Sequence, residues 1–318
     1  MILLAGIPSE PPLALVAEAA RELGLPCLVL NQRRFDGAAL AFEIRGGEVD
    51  GWLSIEGVNY PLAEISGVYV RLVEDATLPE LAGEPLDSPR NRHCRRLHAA
   101  LLAWLEVAPC RVVNRTSTMA SNASKPFQAQ LIRRAGFAIP ETLITSDPDA
   151  ARLFLARHER AVYKSVSGLR SIVRLVEPAD LTRLELVRWC PVQFQAYVEG
   201  DNVRVHTVGA SVFAIRIGSD AVDYRYAYRD GLQAELVPTT LDIELEGRCC
   251  ALTQTLGLEM AGIDLAFAPD GTVFCFEVNP SPGFSYFELA TGQPIARALA
   301  LHLAGKEPGL AFRTTPSR

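Results

Sequence analysis

GIDLAFAPDGTVFCFEVNPSPGF, residues 262–284, decides the fold. Two apolar runs flank Asp270–Gly271, a dipeptide suited to a tight hairpin turn, so the stretch reads as two antiparallel strands. Side chains alternate along a strand, so Glu277 and Asn279 share one face. Closing the hairpin brings Asp264 across from them, and three hard oxygen donors converge. That set suits magnesium bridging phosphate oxygens, because this ion takes octahedral oxygen ligands and few of them from protein. A solvated hairpin would also carry alternating polar residues. Here Val273, Phe274, Phe276 and Val278 are expected to be buried, and acids on a buried strand need a cation or a partner.

Upstream lies QFQAYVEGDNVRVHTVGASVFAIR, residues 193–216. Its strand end, Gln195, Ala196, Tyr197 and Val198, runs into a turn at Glu199–Gly200–Asp201. Backbone groups there are placed for an adenine edge, with Glu199 near a ribose. Arg204 and Arg216 occupy consecutive strands. They are expected to face one cleft and grip phosphates or a developing acyl-phosphate; the plain reading of each is a surface arginine. Further upstream, Lys125 begins a helix and Lys164 ends the strand VYK. The loop after it carries Ser165, Ser167, Gly168 and Ser171, small enough for backbone amides to approach phosphates. The pattern G-x-x-x-x-G-K-[ST] is absent, so this is no Walker A loop. Taken alone, each lysine reads as a surface charge.

The rest of the chain organises around these segments. Residues 1–30 alternate strand, helix and strand, the opening of a parallel α/β layer without G-x-G-x-x-G. Phe42–Ile44 and Trp52–Ile55 read as a hairpin about Gly46–Gly47, and Val68–Leu72 as a buried strand. Residues 76–92 read as a loop, and Arg95–Glu106 as a helix. Next come a helix Lys125–Ala135, strands Glu141–Thr145, Ala161–Lys164 and Ile172–Val176, and a helix Asp147–Arg157. Gln193–Val198, Val203–Val208, Val212–Ile217, Ile263–Ala268 and Thr272–Val278 are expected in one sheet, beside helices Leu245–Leu256 and Gly292–Leu303. The result is an α/β chain of three lobes, divided as 1–113, 114–190 and 191–318.

Hydrophobic residues make up 49% of the 318, and charged residues 21%, enough apolar matter for sizeable cores. A net charge of -6 leaves no electrostatic footprint for nucleic acid or an anionic membrane. The seven cysteines form no C-x-x-C pair and are odd in number, which points to a reducing, cytoplasmic setting. The five histidines lack zinc-ligand spacing. No apolar run is long enough to span a membrane.

In order along the chain, Lys125, RRAGFAIPETL, VYKSVSG, QAYVEGDNVRV, GIDL and EVNPSPGF resemble the RimK-like ATP-grasp ligases, over roughly residues 114–304. The resemblance implies the ATP-grasp fold: two α/β lobes behind an N-terminal pre-ATP-grasp domain. It implies ATP and magnesium as cofactors. Lys125 and Lys164 would touch phosphates, Ala196, Val198 and Glu199 adenosine, Asp264, Glu277 and Asn279 the metal, and Arg204 and Arg216 the intermediate. The chain departs from the family at Ala196, where Glu is common, and at Asn202, where Asp is common. VDYRYAY (222–228) and VYVRLVED (68–75) further resemble the microviridin-type maturases that cross-link ribosomal peptides, with Tyr224 in place of a Trp. The implied activity is an ADP-forming carboxylate–amine ligation through an acyl-phosphate. Its partner would be a peptide, a protein or a small amino-acid-like molecule. A small-molecule amino-acid ligase, a kinase-like enzyme and an ATP-binding regulatory module share the same nucleotide residues. Leu/Ala-rich helices are compatible with a homodimer.

Overall fold

The computed structural model describes residues 1–166, 172–219 and 234–306. The chain opens with β1 (Ile2–Gly6), α1 (Pro11–Glu22) and β2 (Cys27–Asn31), followed by β3 (Ala38–Arg45), β4 (Glu48–Ile55) and β5 (Val58–Pro61). β6 (Gly67–Arg71), α2 (Pro89–Val107) and β7 (Arg111–Val113) complete this part. Strands β2-β1-β6-β7 form a parallel sheet, while β3-β4-β5 form an antiparallel meander. α2 starts six residues before the expected Arg95. Ser88 caps it by accepting from the Asn91 N–H at 3.1 Å, and Pro89 supplies the first turn, so residues 76–92 are not all loop.

α3 (Thr116–Met119) and α4 (Lys125–Arg134) lead into β8 (Thr142–Thr145), α5 (Pro148–Arg157), β9 (Ala161–Ser165), β10 (Arg174–Leu175), α6 (Pro178–Leu181) and β11 (Val192–Ala196). The sheet order β10-β9-β11-β8 corrects one expectation. The strand expected at Gln193–Val198 ends at Ala196 and belongs to this central sheet, between β9 and β8, not to the last one. Strand periodicity reveals which face is apolar but not which neighbour is paired.

β12 (Asp201–Val208), β13 (Ser211–Gly218), β14 (Glu235–Thr239), α7 (Ile243–Thr255), β15 (Met260–Phe267), β16 (Val273–Asn279), α8 (Ser285–Thr291) and α9 (Ile295–Leu303) follow. Their antiparallel sheet runs β14-β13-β12-β15-β16. β14 was not expected; it carries Pro238 and sits at the sheet edge, where a missing N–H is tolerated. The helix expected over Gly292–Leu303 forms as α9 from Ile295; α8, which was not expected, precedes it and is closed by Gly292 at φ +70°.

Odd and even residues of β1 face different cores. Ile2 and Leu4 pack with α1 and α9, and Leu3 and Ala5 with α2 and the meander. The C-terminal α9 therefore covers the N-terminal sheet, close enough that a Cβ at Gly67 would strike the Leu303 backbone. A third core lies between α7 and the last sheet, through Val203, Val205, Ala214, Cys249, Leu252, Ile263 and Val278. Parts of one molecule, distant in sequence, thus close each other's apolar faces.

Candidate active site

The expected hairpin forms, with Gly271 at φ +85° and the Asp270 carboxylate accepting from the Thr272 N–H at 2.8 Å. Its register sets Gly262 against Asn279 and Asp264 against Glu277. Beyond that pair Leu265 lies opposite Cys275, so Phe276 is the extra residue of a bulge beside the acids. Ile263 and Val278 turn into the core, which puts Asp264, Glu277 and Asn279 together on the other face.

Two cations meet this face. The Lys125 ammonium lies 2.8 Å from the Glu277 carboxylate, and an Arg204 guanidinium nitrogen lies 2.7 Å from that of Asp264. Arg204 is only 5% exposed, so the pair is largely withdrawn from water. Arg204 and Asp264 are also direct partners between β12 and β15, and the row continues to Glu277. Asn279 accepts from the Ser281 N–H at 3.0 Å. Two carboxylates and one amide oxygen are the donor chemistry a magnesium ion takes, so these residues fit that ion.

Sequence reasoning missed the residues that hold the row in place. Gln128, one helical turn after Lys125, donates to the Val278 carbonyl at 2.8 Å and accepts from the Val278 N–H at 2.9 Å. It thereby pairs with the open edge of β16 and fixes α4 beside Glu277. Asn114 donates to the carbonyls of Met260 (2.7 Å) and Pro280 (2.5 Å) and accepts from the Glu259 N–H at 2.8 Å, tying the end of β7 to both ends of the hairpin's site edge. Gly262 lies under Arg204; a Cβ there would run into its guanidinium and into Pro282. Arg71, at the end of β6, pairs with Glu10 and donates to the Ser281 hydroxyl at 3.1 Å. A lone Gln or Asn carries no motif, so Gln128 and Asn114 did not stand out; Gly262 and Arg71 lie in the quoted GIDL and VYVRLVED segments, where the pattern gave them no supporting role.

Arg216 is a correction. Arg204 pairs with Ile215 across β12 and β13, whereas Arg216 pairs with Val203. The one-residue offset puts Arg216 on the α7 side of the sheet, opposite to Arg204, so the two do not share a cleft.

On the central sheet, Lys164 is opposite Gln193, and Gln195 is opposite Val162 and Thr142. Phe194 faces the α5 core, so Lys164, Gln193 and Gln195 share the other face. Gln195 donates to the Thr142 hydroxyl at 3.2 Å. Ser165 ends β9; Ser167, Gly168 and Ser171 lie outside the described residues, as does the VDYRYAY segment. At the hinge the Ala196 N–H donates to the Glu141 carbonyl at 2.9 Å and the Tyr197 N–H to the Arg160 carbonyl at 3.0 Å. Ala196 therefore has its carbonyl to offer a ligand, not its N–H. The Arg160 guanidinium lies 3.9 Å over the Tyr197 ring, and Glu199 is exposed.

A model of the RimK-like ATP-grasp domain matches residues 123–303, more than half of the chain. The chain belongs to the RimK-like ATP-grasp family. A "Probable alpha-L-glutamate ligase" of Pasteurella multocida (strain Pm70) is 27% identical over 226 residues, covering 68% of this chain and 71% of the relative. Among solved structures, the ATP-grasp ligase PsnB complexed with minimal precursor, Mg and ADP is 27% identical, with a TM-score of 0.76 over 96% of each chain. The macrocyclase MdnC bound with precursor peptide MdnA, from Microcystis aeruginosa MRC, shares the fold at 23% identity and a TM-score of 0.76, over 96% of this chain and 100% of MdnC. This RimK-like protein is an ATP-dependent carboxylate–amine ligase with the ATP-grasp fold. Among the described residues no helix is long and apolar enough to cross a membrane.

Proposed function

We propose that this ligase activates a side-chain or terminal carboxylate of a peptide with ATP and joins it to an amine or hydroxyl of the same peptide. The observation that carries the reading is the row Arg204–Asp264–Glu277–Lys125, two acids and two cations on one sheet face. PsnB and MdnC, similar over nearly the whole chain, are seen with precursor peptides, which supports a peptide substrate. The three lobes are proposed as 1–113, 114–196 and 197–318, the second border moved past β11 because that strand pairs within the central sheet.

In this reading the adenosine lies along the hinge, against the Ala196 carbonyl and Val198, with Glu199 at the ribose. Lys164 and Lys125 hold phosphate oxygens, Lys125 exchanging a carboxylate partner for a phosphate one. Asp264, Glu277 and Asn279 would hold magnesium, which when bound offsets charge on the transferring phosphoryl group. The substrate carboxylate attacks the γ-phosphorus, ADP leaves, and the acyl-phosphate is then attacked by the amine or hydroxyl, releasing phosphate. Arg204 stabilises the oxyanion charge of these steps. Arg216 has no part. The chain supplies alignment and charge, and no nucleophilic triad is required.

One observation favours a second reading, addition of a free amino acid to a peptide end: the P. multocida relative bears the name of a glutamate ligase. Mass spectrometry of peptides encoded beside the gene, incubated with enzyme and Mg-ATP, separates the two. Loss of one water per bond formed is expected. Gain of a glutamate residue would establish the second reading and end the first.

A further inference from the structure

His206 lies two residues beyond Arg204 on the same face of β12, opposite Gly262. It is 0% exposed. Its Nε2 lies 3.4 Å from the Arg204 Nε, and a guanidinium nitrogen can only donate, so the ring accepts at Nε2 and carries its proton on Nδ1. Burial first, and the adjacent Arg204 charge second, hold the imidazole well below its usual range, so it stays a neutral acceptor. The Phe287 ring backs both groups: the Arg204 Cζ is 5.6 Å from its centroid, and the His206 ring meets it edge-on at 5.0 Å. Gly262 leaves the room that the guanidinium fills.

The arrangement has a cost. Nδ1 of His206 is buried with no hydrogen-bond partner among the described residues. Phenylalanine would fill the same site, beside Phe287 and opposite Phe213, without an orphaned polar atom. Stability alone therefore does not explain a histidine here; its Nε2 does. We propose that His206 is a positioning residue: it accepts from Arg204 Nε and so fixes the plane and reach of the guanidinium that meets Asp264. The inference rests on the proposed function only for what Arg204 then does to the phosphoryl group.

The test compares His206→Phe, which keeps the ring volume and removes the acceptor, with His206→Gln, whose amide oxygen reaches about as far as Nε2. With substrate peptide and Mg-ATP, H206F is expected to lower kcat about tenfold or more while KM for ATP stays within about twofold, the pattern of an interaction made in the transition state. H206Q should recover most of kcat. In an Arg204→Ala background H206F should cost little more, since coupled residues are not additive. Wild-type turnover in H206F, equal losses in both variants, or an additive loss in the Arg204→Ala background would each overturn the assignment. Should H206F not fold, H206Q decides alone: near wild-type kcat supports the assignment and a tenfold loss refutes it. If the wild-type protein turns over no peptide, the functional reading has failed. A melting-temperature cycle of the same variants then tests the contact, with non-additive shifts expected and additive ones overturning it.

Discussion

At the scale of the residue, the acids and their cations decide most. Asp264→Asn or Glu277→Gln is expected to lower ADP release at least about 100-fold, the several kcal/mol that metal-assisted charge stabilisation supplies; turnover within tenfold of wild type would contradict the roles given to them. Asp264→Ala should also destabilise the apo protein by about 3 kcal/mol, because it takes the carboxylate partner from the buried Arg204 guanidinium, and denaturant unfolding reads that loss. Arg216→Ala should leave turnover within about twofold, since the residue is exposed on the far face of the sheet. His206 makes stability depend on pH. Its ring is neutral in the folded chain and takes a proton near pH 6.5 once unfolded, so its contribution is full above that range and declines as pH falls below it. The melting temperature should fall less between pH 7 and pH 5 in H206F than in wild type; equal falls would show that another group sets the slope.

At the scale of the element, the hairpin was legible and its supports were not. Alternation, an Asp-Gly turn and three oxygen donors are local signals, and β15 and β16 formed in the expected register at Asp264 and Glu277. Partner choice is not local. Nothing in Gln193–Val198 says that its neighbours are β9 and β8, and nothing in the spacing of Arg204 and Arg216 says that the intervening turn offsets them by one register position. Gln128 shows the same limit, since a glutamine that completes a strand edge looks like any helix-surface glutamine until β16 is beside it. Gln128→Leu should cost about 2 kcal/mol, because it leaves the buried N–H and carbonyl of Val278 without partners. It should also raise KM for ATP by loosening α4 and Lys125, and unchanged KM would separate α4 from the nucleotide.

At the scale of the whole molecule, the site is assembled from separated parts of the chain: Lys125 on α4, Arg204 on β12, the acids on the last hairpin, and Asn114 and Arg71 from the first sheet. α9 returns to cover that first sheet, so loosening either end should loosen the site. The central claim is that this assembly holds a nucleotide-bound metal, and electron paramagnetic resonance of free Mn²⁺ during titration with protein and ADP tests it most directly. The wild-type protein should take up Mn²⁺ in an ADP-dependent manner, with affinity at least about tenfold weaker in Glu277→Gln at an unchanged fold. Uptake equal in the two proteins, or no ADP-dependent uptake by the wild type, would contradict it.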